Sequence, residues 1–256
     1  MSRKELKNRG RSLLKQKSYW INIAVVFFMA LNIDSIISIF TTDYEQYFSL
    51  FTPANFNWEN IKSFILENNG DESITGTILS ASITLVEVLI ISILRVGGTR
   101  YFLKLRKNQT ASFGDVFEDF KNKTAGNIAT VALVKFLTCM LWTFLGIIPG
   151  IIKLYQYAAV EYILALRPDI SSTEALHLSK TLMKGNKIKA FVLDLSFTPW
   201  FILNFLSLDL LSYLYVTPYY EATYIEFFSN LRDDAIEKQI ITPKDFPDYD
   251  KTPITT

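Results

Sequence analysis

Long apolar segments alternate with short basic ones along this chain, and that alternation limits its fold more than any other feature. Half of the 256 residues are hydrophobic, and they are grouped in blocks. About 20 apolar residues suffice to cross a bilayer as an α-helix, which satisfies its own backbone polar groups. The pattern predicts an all-α, polytopic helical membrane protein with about six transmembrane helices, at about 19–40, 74–96, 127–148, 151–166, 188–206 and 210–228.

The charges between these segments predict the orientation. The segments 2–18, 97–126 and 167–189 are basic, whereas the loop 41–73 carries six acidic residues against the single Lys62. Basic loops stay in the cytoplasm, so both termini are expected there and the loop 41–73 outside a cell inner (cytoplasmic) membrane. Residues 1–230 are then one membrane domain, and residues 231–256 form a cytoplasmic tail that is partly disordered.

Each basic segment predicts a capped amphipathic helix on the cytoplasmic face. The clearest begins at Ser171, with Glu174 at capping-box spacing, and ends at Gly185. Ser-x-x-Glu/Asp also occurs near residues 2 and 112. The three units predict three hairpin repeats, but basic juxtamembrane helices are common enough in membrane proteins to explain the pattern without repetition. Lys180 and Lys184 are the candidate lipid-facing basic residues.

Five ionisable residues lie within the predicted spans. Counted at about 1.5 Å per residue, they fall about 8–14 Å from the cytoplasmic ends. Each costs about 2.5–3.5 kcal/mol to insert, so a polar surrounding is expected. Two interpretations stay open: a cytoplasm-open polar cavity for a cation or a polar headgroup, or structural ion pairs with snorkelling side chains. This candidate polar belt comprises Glu87, Lys135, Glu161, Asp194 and Glu221.

Several classes of function lack their sequence signals. The chain has one cysteine and one histidine, which disfavours an intramolecular disulfide and a zinc site. It contains no Walker A, GxSxG or HExxH motif. A net charge of +1 gives no global field for nucleic acid. We therefore expect no enzyme activity, no cofactor, no metal and no nucleic-acid partner.

Four co-linear segments resemble a known family. They are SRKELKNRGRSLLKQKSYW (2–20), GTRYFLKLRKNQTASFGDVFEDF (98–120), LGIIPGIIKLYQYAAVEYILA (145–165) and EALHLSKTLMKGNKIKAFVLDLSF (174–197). Together they look like the bacterial domain-of-unknown-function 975 family of integral membrane proteins. The resemblance implies a multi-span helical membrane protein with no established activity, so it carries over no catalytic residues.

Three functions are compatible with these features. The first is a non-enzymatic membrane-embedded interaction or envelope-maintenance protein, whose basic inner-face helices bind anionic lipid headgroups or a membrane protein partner. The alternative is a secondary transporter of a small solute or lipid that uses the cytoplasm-open polar cavity. A membrane enzyme acting on lipid headgroups is the weakest of the three, because no nucleophile and base are paired in the sequence.

Overall fold

The computed structural model of the protein describes residues 1–15, 19–29, 74–200, 203 and 211–246, which form helices and turns with no β-strand among them. The predicted all-α class is confirmed for this part of the chain. The chain divides into two units, Met1–Ala30 with Leu89–Thr256, and Leu31–Val88. In the second unit the structure describes residues 74–88, so the predicted outer loop 41–73 lies outside the described residues.

The described α-helices, in chain order, are α1 (Arg3–Leu14), α2 (Tyr19–Met29), α3 (Ile74–Arg106), α4 (Glu118–Lys121), α5 (Ala125–Leu145), α6 (Ile147–Gln156), α7 (Val160–Leu166), α8 (Ser172–Leu182), α9 (Lys187–Leu195) and α10 (Thr217–Glu237). Short 3-10 helices span Phe113–Phe117 and Pro243–Asp245, and a π-helical turn, Ser212–Val216, precedes α10.

Helix α10 lies at the centre of the first unit. Most of its side chains are buried, and α1 packs along it through an apolar face. The two helices approach most closely at Gly10, where a Cβ atom would lie 2.6 Å from Oγ1 and 2.8 Å from the backbone N of Thr223. The predicted inner-face helix α1 therefore has its apolar face against protein.

Two of the three predicted capped helices occur in the structure, as α1 and α8, and another helix follows each of them closely. The Ser2 and Ser171 hydroxyls accept hydrogen bonds from the backbone N–H of Glu5 (3.2 Å) and Glu174 (3.3 Å). Gly185, at φ +75°, ends the segment after α8, as a left-handed C-terminal glycine does. Near residue 112 the predicted amphipathic helix is instead a 3-10 turn that runs into the four-residue helix α4.

The segment predicted as one span at 151–166 is two helices. Helix α6 ends at Gln156, α7 begins at Val160, and residues 157–159 form a turn between them. Pro149-Gly150 lies between two predicted spans, and from the sequence it predicts a tight turn. That prediction is wrong, because the break between α5 and α6 lies at Gly146. Pro149 belongs to the first turn of α6, where the backbone N–H that proline lacks has no helical partner in any case.

The last predicted span also differs from the structure. Pro218 falls in the middle of the span predicted at 210–228, where the missing backbone N–H predicts a kink. In the structure it lies at the start of α10, after the π-helical turn. Helix α10 then continues to Glu237, beyond the predicted domain boundary at 230. Phe246 is buried, so the first part of the predicted tail is ordered, and residues 247–256 lie outside the described residues.

Helix α5 is the one helix in the described part of the chain that is long and apolar enough to cross a membrane. Its mean hydropathy is 1.9 over its most apolar 18-residue window. The sequence predicts about six such helices. Six membrane-spanning helices are therefore not confirmed: α6, α7 and α9 have 10, 7 and 9 residues, and α10 carries several charges. Helix α2 is described only to Met29, and most side chains in the first part of α3 lie outside the described residues.

Candidate functional site

A cavity of about 530 Å³ lies within the first unit, among helices α3, α5, α6, α7, α9 and α10. Four residues of the predicted polar belt line it together: Lys135, Glu161, Asp194 and Glu221. They come from four different helices and are separated by up to 86 positions, from 135 to 221. The other lining residues are Arg95, Thr99, Ile151, Leu154, Tyr155, Ala158, Tyr162, Phe191, Tyr220, Tyr224, Ile225 and Phe228.

One wall of the cavity is a chain of ion pairs centred on Glu161. Its carboxylate lies 3.3 Å from Nζ of Lys135 and 3.6 Å from Nε of Arg95. The Arg95 guanidinium also lies 3.7 Å from Oε1 of Glu221. These side chains are 16–42 % exposed, so the cluster is partly desolvated and still reachable from the cavity. We name these four residues the Glu161 cluster.

Asp194, on α9, has a different set of partners. Tyr155 donates its hydroxyl to Oδ2 at 2.7 Å, and Tyr220 donates to Oδ1 at 2.9 Å. The hydroxyl of Tyr224, one turn further along α10, also donates to Oδ1. Three O–H donors from two helices suit a carboxylate, which only accepts hydrogen bonds.

Some residues of the cavity could be predicted from the sequence, and others could not. The sequence predicts Arg95 at the inner end of the span 74–96 and outside the polar belt, yet it forms ion pairs with two acids of the belt. The three tyrosines gave no signal except the i, i+4 spacing of Tyr220 and Tyr224. When depth is counted from the cytoplasmic ends of the predicted spans, Glu87 and Glu221 are closest to Lys135. In the structure Lys135 pairs with Glu161 instead. Glu87 is buried in the second unit, whereas the residues lining the cavity all belong to the first.

Part of the chain matches a known protein family. Residues 147–235 match the family model DUF975, a protein of unknown function. The resemblance predicted from the sequence is therefore confirmed over this region. No curated protein and no solved structure matches the chain.

The DUF975 match runs from the start of α6 into the last turn of α10. It contains Glu161, Asp194 and Glu221, as well as the three tyrosines that hold Asp194. Lys135 and Arg95 lie outside it, on α5 and α3. All three acids of the cavity thus come from the DUF975 region, and both of its cations come from the preceding helices.

A second ionic network joins the basic segment 97–126 to acidic side chains. Arg100 donates two hydrogen bonds to Asp119, at 2.8 and 2.9 Å, and Asp119 is 1 % exposed. Lys104 lies 3.0 Å from Asp115 and 3.3 Å from Glu118. Burial lowers the pKa of Lys104, but the hydrogen bond and charge of Asp115, with those of Glu118, raise it further, so the net shift is upward.

Arg106 continues this pattern at the end of α3. Its Nε lies 3.1 Å from Oε1 of Glu226, a carboxylate that is fully buried in α10. Three of the cations that the sequence assigned to an inner face are therefore partnered by acids of the same chain. Charge on a segment does not by itself make a surface that is free to bind lipid.

Lys180 and Lys184 differ from those cations. Both are exposed near the end of α8, and neither forms an ion pair with any described residue. The partial negative charge at the C-terminus of the helix stabilises a positive side chain near it. Both charges are therefore exposed, and no described acidic side chain neutralises them.

A metal centre has no ready donor set in the described part of the chain, where no three His, Cys, Asp or Glu side chains come together to hold an ion. The lone Cys139 is a buried free thiol in α5.

Proposed function

We propose that this chain is a multi-pass protein of the cytoplasmic membrane that binds a small polar solute in the cavity, as a secondary transporter does. The observation that carries the proposal is the convergence of Lys135, Glu161, Asp194 and Glu221, with Arg95, on one cavity. Its volume of about 530 Å³ lies within the range of about 300–1,000 Å³ that is usual for small-molecule sites. The proposed activity is non-enzymatic.

The outer surface of α5 and α6 supports a membrane environment. Only 17 % of the apolar window of α5 is buried within the protein, unlike the core helix of a soluble domain. Around the junction with α6, Phe144 is 88 % exposed, Ile147 75 % and Ile148 73 %. Contiguous apolar side chains of this size on a surface mark contact with lipid or with another protein. Lys135, the one charged residue of α5, lines the cavity instead.

Labelling of single cysteines tests both halves of this proposal. The natural thiol would be removed by Cys139→Ala, and cysteines introduced at Ala158, in the cavity wall, and at Phe144, on the apolar surface. In proteoliposomes we expect a charged, membrane-impermeant thiol reagent to label Ala158→Cys and to spare Phe144→Cys. Asp169→Cys, at an exposed position outside the cavity, is the control for reagent access to an inner-face loop.

Each result has a defined meaning. Rapid labelling of Phe144→Cys would place that surface in water and contradict the span at α5. Protection of Ala158→Cys from both sides of the membrane, while Asp169→Cys reacts, would show a closed cavity and contradict solute binding there. Labelling of Asp169→Cys from outside the cell would reverse the proposed orientation.

A second candidate function is attachment to anionic lipid headgroups through the inner face. The exposure of Lys180 and Lys184, and their lack of described ion-pair partners, favours it. Each lysine near an anionic surface is worth about 1 kcal/mol. A membrane protein partner with an acidic surface would use the same two charges, which is the interaction role expected from the sequence.

Lipid-dependent stability distinguishes this candidate. The double variant Lys180→Gln/Lys184→Gln should lose much of the thermal stabilisation that phosphatidylglycerol gives the purified protein, and added salt should weaken the wild-type effect. The matched control is Lys121→Gln/Lys123→Gln, which removes two exposed charges from another basic segment. Equal stabilisation by phosphatidylglycerol and phosphatidylcholine would count against lipid recognition.

A further inference from the structure

Asp194 stands apart from the other acids of the cavity. Glu161 and Glu221 lie within 4 Å of cationic nitrogen atoms, whereas the described partners of Asp194 are three tyrosine hydroxyls. No lysine or arginine in the described part of the chain forms an ion pair with it. A carboxylate has about four acceptor positions, and three are occupied here, one by Tyr155 on Oδ2 and two on Oδ1.

Three of the aromatic side chains that line the cavity bond to this carboxylate through their hydroxyls, and a fourth, Phe191, packs against Tyr155. Tyr155 and Phe191 meet edge to face at 6.2 Å between centroids, and Tyr220 and Tyr224 lie 4.6 Å apart. All four rings line the same cavity as Asp194. Aromatic faces attract cations, most strongly where water is excluded, and groups of such rings recognise ammonium ligands in other proteins. Hydroxyls directed at Asp194 hold the rings around it in place.

We infer that the solute bound in the cavity carries an ammonium group, received by the Asp194 carboxylate and the rings of Tyr155, Phe191, Tyr220 and Tyr224. This inference rests on the proposed function, because it names the ligand class of the same cavity. A negatively charged group on the solute is disfavoured as the main feature that the cavity recognises. Arg95 and Lys135, the cations that line the cavity, are already bound to Glu161 and Glu221.

The size and chemistry of the cavity select an organic cation over a bare metal ion. A hard metal ion takes six or more oxygen ligands in a tight shell. Here the described oxygen donors around Asp194 are tyrosine hydroxyls that point their protons at the carboxylate. The space of about 530 Å³ suits a molecule of several heavy atoms.

Matched probes test the charge requirement directly. Choline and 3,3-dimethylbutan-1-ol have the same shape, and only choline carries the positive nitrogen. Ethanolamine and propan-1-ol form a second pair with a primary ammonium. Binding of each probe to the full-length protein in nanodiscs would be measured by calorimetry and by tyrosine fluorescence. We expect an ammonium probe to bind about tenfold more tightly than its neutral partner.

Two substitutions locate that preference. Asp194→Asn keeps the side-chain shape and should remove most of the charge preference, whereas the same change at the exposed Asp169 should leave it intact. Phe191→Leu, at a half-exposed position that tolerates change, should weaken choline several-fold and leave its neutral partner unchanged. The second variant keeps the inference testable if Asp194→Asn fails to fold, which size-exclusion chromatography and circular dichroism would show.

The possible results distinguish failure of the ammonium assignment from failure of solute binding in the cavity. Equal binding of charged and neutral probes, lost when Ala158→Phe fills the cavity, would keep the binding cavity and overturn the ammonium class. An ammonium preference that survives unchanged in both Asp194→Asn and Phe191→Leu would overturn the assignment to Asp194 and its rings. No binding of any probe, together with protection of Ala158→Cys from thiol reagents, would overturn both proposals.

Discussion

Glu161 carries two ion pairs of the cavity wall and Lys135 carries one, so their substitutions should differ in cost. Exposed pairs contribute about 0–1 kcal/mol, and breaking a fully buried pair costs about 3–5 kcal/mol. The side chains of these two pairs are 23–42 % exposed, so water screens their charges. Each pair should therefore contribute more than an exposed pair and less than a fully buried one. We take about 1–2 kcal/mol per pair.

The predicted magnitudes follow from the geometry. Lys135→Met breaks one pair and should destabilise the protein by about 1–2 kcal/mol, whereas Glu161→Gln breaks two and should cost about 2–4 kcal/mol. In the double variant the Lys135–Glu161 pair is lost only once. Its cost should fall short of the sum by about 1–2 kcal/mol, which is the coupling of that pair.

Thermal unfolding in detergent, followed by circular dichroism, measures these differences. For a chain of this size each kcal/mol shifts the midpoint by about 2–4 °C. Glu174→Gln is a matched control, because Glu174 is 49 % exposed and pairs with Arg167 at 2.9 Å on the surface. It should cost less than about 1 kcal/mol. Strict additivity of Lys135→Met and Glu161→Gln would refute the pairing, as would a larger loss in Glu174→Gln.

Two further predictions concern the packing of glycine residues and the ion pair between Arg100 and Asp119. Gly10→Ala should destabilise the chain by about 1–3 kcal/mol, because the new methyl group meets Thr223. Gly126→Ala, with open space at its Cβ, should be neutral or stabilise α5 by up to about 1 kcal/mol. Asp119→Asn should cost about 3–5 kcal/mol by leaving the Arg100 guanidinium without its buried partner. Chemical denaturation in detergent reads all three, and equal effects of the two glycine changes would contradict the α1–α10 contact.

The helical class and the three cavity acids could be predicted from the sequence for a physical reason. Rise along a helix is fixed at about 1.5 Å per residue, so counting from the end of an apolar run gives the height of a charge. Lys135, Glu161, Asp194 and Glu221 were placed at similar heights in this way, and the structure brings them to one cavity. Height is a local property that a single helix already determines.

The partners within the cavity could not be predicted in the same way. Which charge meets which depends on the rotation of each helix about its axis, and packing between helices sets that rotation. Lys135 therefore pairs with Glu161, although two other acids were nearer to it in height. The Asp194 site was missed because it is built from tyrosines, which in a membrane protein are commonly found at the interface for other reasons.

The positions of two prolines were predicted wrongly because proline is compatible with more than one structural position. Pro149 was assigned to a turn, yet proline is equally favourable in the first turn of a helix, where it stands in α6. The same explanation holds for Pro218 at the start of α10. Only the neighbouring helices decide between these positions, and a single sequence does not contain that information.

The lysines and arginines that the sequence predicts for the inner face show what counting charges can and cannot predict. The positive-inside rule concerns the number of lysines and arginines in a loop, because insertion responds to their total charge. It does not depend on their partners in the folded state. Arg100, Lys104 and Arg106 satisfy the count and then pair with acids of the same chain, whereas Lys180 and Lys184 stay exposed. A basic loop is therefore evidence for orientation, and only its unpaired members are evidence for a bound headgroup.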